Sequence, residues 1–247
     1  MKSKLLVIIG LVVATATSHG QTNFNRTIPV QPGQKINMHF DYPDLIRVST
    51  WDKNEISVQG TVSINNGESD DAFLFENSVN GNVVDIHSSI RNMKSLPQRI
   101  TIYRDGQKIM FANKEELRKY QQEHGSGYQT MSWGVDIEIQ LEIKVPRGME
   151  TRVESVYGMV EVKDFSGPLI VEATYGGVDA ALTEKTAGEI TAETNYGEIY
   201  SNLDVKFGGD GKSSRDFHTF VSAKPGTGPR YSFESKYGNV YLRKAAN

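Results

Sequence analysis

A tyrosine–glycine pair recurs four times in the last third of this 247-residue chain, each time in matching surroundings. The copies are Val153-Glu154-Ser155-Val156-Tyr157-Gly158, Val171-Glu172-Ala173-Thr174-Tyr175-Gly176, Ala192-Glu193-Thr194-Asn195-Tyr196-Gly197 and Phe233-Glu234-Ser235-Lys236-Tyr237-Gly238. The tyrosines stand 18, 21 and 41 residues apart, and the last interval is close to two periods. A unit of about 20 residues cannot bury an apolar face alone, so recurring units have to stack. The spacing predicts an all-β protein, a single-stranded β-solenoid (β-helix) of about 20-residue coils, mostly parallel. A β-sandwich built from similar hairpins is the alternative.

Hydrophobic alternation supports strands along most of the chain. Val135, Ile137, Ile139, Leu141, Ile143 and Val145 alternate with polar residues up to the Pro146-Arg147-Gly148 turn. Shorter alternations surround Ile36–Phe40, Ile46–Thr50, Ile56–Ile64 and Val84–Ile90. Residues 91–133 depart from this pattern and read as an insertion. Asp105-Gly106 suits a type I′ hairpin turn within Ile100–Phe111. Asn113 suits the cap of a helix over Lys114–His124, with Gly125 at its end.

In the repeats, counting back from each tyrosine in steps of two reaches Ser155/Val153, Ala173/Val171, Thr194/Ala192 and Ser235/Phe233. This small or apolar row is predicted to face inward together with the tyrosines. Tyr157, Tyr175, Tyr196 and Tyr237, with Gly158, Gly176, Gly197 and Gly238, are thus expected to form a structural ladder. The alternate row, Glu154, Glu172, Glu193 and Glu234, is expected to face water. Stacked carboxylates repel by about 1 kcal/mol per pair in a water-like dielectric. They could share a divalent cation, or be compensated by Lys163, Lys185, Lys236 or Arg243.

Residues 1–20 read as a secretory signal, with Lys2 and Lys4 before the apolar run Leu5–Ala14 and cleavage after Gly20. The expected mature unit is a single domain over residues 21–247, exported to the periplasm or cell surface. The apolar run is too short to span a bilayer, and no span is expected in the mature chain. There is no cysteine, which excludes disulfides, thiolate metal sites and cysteine nucleophiles. A formal net charge of −3 leaves no electrostatic footprint for nucleic acid.

Ile143-Lys144-Val145-Pro146-Arg147-Gly148 followed by serial strand–glycine–strand units, with Val30-Gln31-Pro32-Gly33 and Trp51-Asp52-Lys53-Asn54-Glu55 upstream, resembles the bacterial putative-adhesin family, a domain of unknown function. The resemblance implies an exported, Gly-rich β-solenoid and brings no catalytic motif with it. Tyr-Gly stands here where many members have Ser-Gly or Asn-Gly.

The sequence carries little that points to catalysis. Gly211-Lys212-Ser213 lacks the upstream glycine of a phosphate-binding loop, since position 206 is Lys206. Gly208-Gly209-Asp210-Gly211 occurs once, whereas calcium-binding Gly-Asp turns need stacked copies. His39, His87, His124 and His218 lack metal-ligand spacing, and there is no Gly-x-Ser-x-Gly elbow. No catalytic, cofactor-binding or metal residue is assigned. The reading is a noncatalytic, adhesin-like binding module of the cell envelope that recognises a protein or a polysaccharide. A periplasmic envelope-stress or signalling scaffold is the alternative, and a polysaccharide-active enzyme is the third class.

Overall fold

The structure is a computed structural model that describes residues 21–209 and 217–245. The signal sequence and the Asp210–Gly211–Lys212–Ser213 part of the glycine-rich segment lie outside those residues. In chain order the strands are β1 (Thr22–Pro29), β2 (Lys35–Phe40), β3 (Leu45–Trp51), β4 (Glu55–Ile64), β5 (Phe73–Asn80), β6 (Val83–Ile90), β7 (Arg99–Arg104) and β8 (Gln107–Phe111). After helix α1 (Lys114–His124) come β9 (Thr130–Gly134), β10 (Ile137–Pro146), β11 (Thr151–Ser155), β12 (Met159–Val162), β13 (Leu169–Ala173) and β14 (Val178–Leu182). The last are β15 (Glu189–Thr194), β16 (Ile199–Ser201), β17 (Thr219–Ala223), β18 (Arg230–Ser235) and β19 (Val240–Lys244).

These strands form two eight-stranded sheets and a small three-stranded one. The first sheet runs β1-β4-β10-β3-β12-β14-β19-β16, and the second runs β17-β15-β18-β13-β11-β2-β6-β5. Alternation is cleanest in strands such as β13 and β14, where every second residue is buried. Val153, Val171 and Phe233 of the second sheet join Val160, Val178 and Val240 of the first in one core.

The expected solenoid of successive coils does not form. The two sheets are open and mixed. β1, β4 and β10 pair antiparallel, as do β5 with β6 and β15 with β17. The motif copies also stack out of chain order, with β18 of the fourth copy between β13 of the second and β15 of the third. A sequence period reports that a local unit recurs. It does not report which units pair, and here pairing builds a sandwich-like all-β fold.

Residues 99–134 form the third sheet, ordered β8-β7-β9, with α1 against it. Asp105 and Gly106 take φ of 50° and 76°, the left-handed pair that a two-residue hairpin of this hand requires. The Asn113 side chain accepts hydrogen bonds from the amides of Glu115 and Glu116, which caps α1. No helix among the described residues is long and apolar enough to cross a membrane.

Candidate functional site

Each copy of the motif sits at a corner, where the chain leaves a strand of the second sheet and enters one of the first. β11, β13, β15 and β18 end at Ser155, Ala173, Thr194 and Ser235, two residues before each tyrosine. Backbone pairing continues around the corner. The Thr174 amide donates to the Ser155 carbonyl and the Tyr175 amide to that of Val156, at 2.9 and 2.8 Å. The Tyr237 amide donates to the Thr174 carbonyl and the Tyr196 amide to that of Lys236, at 3.0 and 3.1 Å.

The glycines stack because nothing larger fits. A Cβ at Gly176 would lie 2.0 Å from the Gly158 carbonyl oxygen, and one at Gly197 2.0 Å from that of Gly238. The buried hydroxyls of the motif complete the corner. Ser235 Oγ donates to the Gly176 carbonyl at 2.7 Å and accepts from the Gly238 amide at 2.9 Å. Thr194 Oγ1 makes the same pair of bonds, to the Gly238 carbonyl and from the Gly197 amide, both at 3.0 Å.

The tyrosine rings stack on the outside of this corner. Centroids lie 5.2 Å apart for Tyr157–Tyr175, 5.1 Å for Tyr175–Tyr237 and 5.1 Å for Tyr237–Tyr196, with interplanar angles of 6° to 12°. Tyr42 extends the column at one end and Phe217 at the other, each at 5.7 Å. The spacing is close to that of neighbouring strands in a sheet. The rings do not point inward, as alternation from the preceding strand predicted. Tyr157, Tyr175 and Tyr196 are 55%, 56% and 59% exposed. Alternation of faces is a property of extended strand, and the strand has already ended when the tyrosine is reached. Exposure also lowers the expected stability effect. Tyr175→Ala should cost about 1–2 kcal/mol, the value of two lost aromatic contacts, read as a small shift in a urea unfolding midpoint.

The carboxylates occupy one row on the outer face of the second sheet. Glu154 pairs in register with Glu172, Glu172 with Glu234, and Glu234 with Glu193. Beyond Glu154 the same row continues to His39 and then His87, whose rings stack at 5.3 Å. The compensating cations are not the predicted lysines. Arg152 Nε donates to Glu154 at 2.7 Å and its Nη2 to Glu172. His39 bridges Glu154 through Nδ1 at 2.9 Å and Asp41 through Nε2 at 3.0 Å. His218 meets Glu193 at 2.7 Å. Lys163 and Arg243 pair elsewhere, with Glu161 and Asp179. Glu234 has no cationic partner among the described residues. Arg152 was legible, since it lies two residues before Glu154 on the same strand face. His39 lies 115 residues away and becomes a neighbour only through β2–β11 pairing.

The electrostatics follow this layout. Burial raises the Glu154 carboxyl, but the His39 and Arg152 bonds outweigh it and hold the group below its usual range. Burial raises Glu172, and the repulsion of Glu154 and Glu234 adds to it beyond what Arg152 offsets. Burial lowers His39, but Glu154 and Asp41 leave it net raised above 6.5. A raised histidine pKa stabilises the fold fully below pH 6.5, and that contribution disappears as pH rises through the folded-state value. His39→Gln should therefore flatten the fall in melting temperature between about pH 5.5 and pH 8, measured by thermal denaturation across that range. A shallow groove of about 560 Å³ runs over this end of the row, between Asn37, His39, His87, Arg152 and Glu154. Among the described residues no group of three or more His, Asp or Glu converges to hold a metal ion.

Neither family models nor curated proteins match the chain. Two solved structures are similar to it, each at 10% identity. A putative cell adhesion protein from Clostridium sporogenes ATCC 15579 aligns over 91% of this chain and 99% of its own, with a TM-score of 0.48. A putative adhesin from Bacteroides fragilis NCTC 9343 aligns over 90% and 97%, with a TM-score of 0.22. At this identity and these scores, neither likeness assigns a function.

Proposed function

We propose that this chain is an exported, noncatalytic, adhesin-like binding module of the cell envelope, recognising a protein or polysaccharide through its aromatic column. The observation that carries the reading is the column itself: six aligned rings, five of them exposed and the sixth, Tyr42, packed partly against the core. Exposed aromatics of this kind supply contact area at low entropic cost, and their hydroxyls supply hydrogen bonds. The stacking defines how they would be used. Ring faces inside the column cover one another, so a ligand meets edges and a row of phenolic hydroxyls. Of the terminal rings, Phe217 is the more exposed, at 75%, and Tyr42 is packed partly against the core. The adjoining carboxylate row favours ligands that donate hydrogen bonds or carry positive charge.

The triple substitution Tyr157→Ser, Tyr175→Ser, Tyr237→Ser tests this. Binding is read on an immobilised panel of neutral and basic glycans and of extracellular-matrix proteins, beside the thermal melt. The reading expects retention by the parent chain on part of the panel and its loss in a folded variant. Equal retention by both, or none by the parent, overturns it. Surface protease accessibility on intact cells tests location, and strictly periplasmic protein would turn the reading toward an envelope scaffold.

A further inference from the structure

The three-stranded sheet of residues 99–134 carries a second surface, independent of the aromatic column. β9 is one of its two edge strands, and Thr130 to Trp133 are all exposed. A free strand edge presents unpaired amides and carbonyls, and proteins ordinarily protect such edges with charge, proline, brevity or a covering segment. The other edges here are protected in one of these ways. β1 carries Arg26 and Pro29, β5 carries Glu76, and β8 carries Lys108. β16 has three residues, and β17 is bridged by Gly208 at Ser222. β9, with the sequence Thr-Met-Ser-Trp-Gly, has none of these protections among the described residues.

Its apolar side chains are also left uncovered. Trp133 and Met131 lie directly opposite Ile100 and Ile102, and so share their face of the sheet. Leu117 and Tyr120 of α1 pack over Ile100, Ile102 and Phe111, but Trp133 and Met131 remain 59% and 53% exposed. Lys114 Nζ stands 5.3 Å from the Trp133 ring. Arg118, one helical turn on, is on the same side of α1. Neither forms an ion pair with a described residue. Of the basic residues in this segment, Arg91, Arg99, Arg104, Lys108 and Lys119 are ion-paired, which leaves Lys114 and Arg118 as the positive charge beside Trp133.

We propose that β9 is a docking edge for an extended acidic segment of a partner protein, which adds to the small sheet as a fourth strand. Backbone pairing to β9 would supply the register. Alternate apolar residues would rest on Met131 and Trp133, and acidic residues would meet Lys114 and Arg118. The carboxylate row of the main sandwich would repel the same segment and steer it toward this surface.

The test uses the full chain and a fluorescein-labelled peptide of about ten residues alternating glutamate and valine, followed by anisotropy and by tryptophan emission. Saturable binding with a change in emission is expected. It should weaken at least about tenfold in Lys114→Glu/Arg118→Glu and in Trp133→Ser, surface changes that leave the melt intact. A peptide N-methylated at alternate residues should not bind. Equal binding by that peptide, equal binding by dextran sulfate, or no binding at millimolar peptide overturns the proposal. So does a dimer in sedimentation analysis that Trp133→Ser dissociates, because the occupant would then be a second copy of this chain.

Discussion

Gly176→Ala lowers stability by about 3 kcal/mol, a fall of roughly 10 °C in melting temperature for a domain of this size. Differential scanning calorimetry of the variant checks this. The cause is steric and local. The new Cβ would stand 2.0 Å from the Gly158 carbonyl oxygen and 2.4 Å from its carbon, and both belong to backbone held in the corner ladder. Neither partner can rotate away. Relief requires the corner strands to separate, which also strains the Tyr175 amide bond to Val156. Gly127→Ala is the control, since a Cβ there meets nothing within 4 Å, and it should leave the melt unchanged. Equal melts for Gly176→Ala and the parent would show that the corner is not closely packed.

Phe233→Ala has a comparable or larger effect, a loss of about 3–5 kcal/mol from cavity formation in the core, measured by urea unfolding. Phe233 is 1% exposed and lies in register between Val171 and Ala192. The ring is buried beside the small Ala192 on the neighbouring strand, so truncation opens a cavity between the sheets. Phe233→Leu should recover most of the loss. The comparison with Tyr175→Ala separates burial from ring size. Both changes remove an aromatic ring from the same motif, four residues apart in motif position. Only the ring inside the sandwich should cost more than about 2 kcal/mol.

That contrast marks where the sequence is readable. Alternation placed Val153, Val171, Ala192 and Phe233 inward and the four glutamates outward, and the strands follow it. It failed at the tyrosines, two residues beyond the end of each strand, because a bend cancels the parity on which the argument depends. The hairpin at Asp105-Gly106 and the Asn113 cap were legible for the opposite reason. Each depends on backbone angles and hydrogen bonds closed within a few residues. The candidate site was legible only in part. The repeated motif located the rings and the carboxylates, but not the column's ends at Tyr42 and Phe217, nor the histidines that extend the row.

By itself, then, the sequence determined that this protein is built from short strands, that a Tyr-Gly corner recurs among them, and which strand faces are apolar. Those properties are set by neighbours within one strand or turn. The tertiary structure alone decided that the fourth copy packs between the second and third, that two open mixed sheets form rather than successive coils, and that His39 meets Glu154. Strands with the same alternation can pair in many orders at nearly equal local energy. The order is selected by how side chains such as Phe233 and Ala192 pack between the sheets, with pairings that join residues up to 115 positions apart.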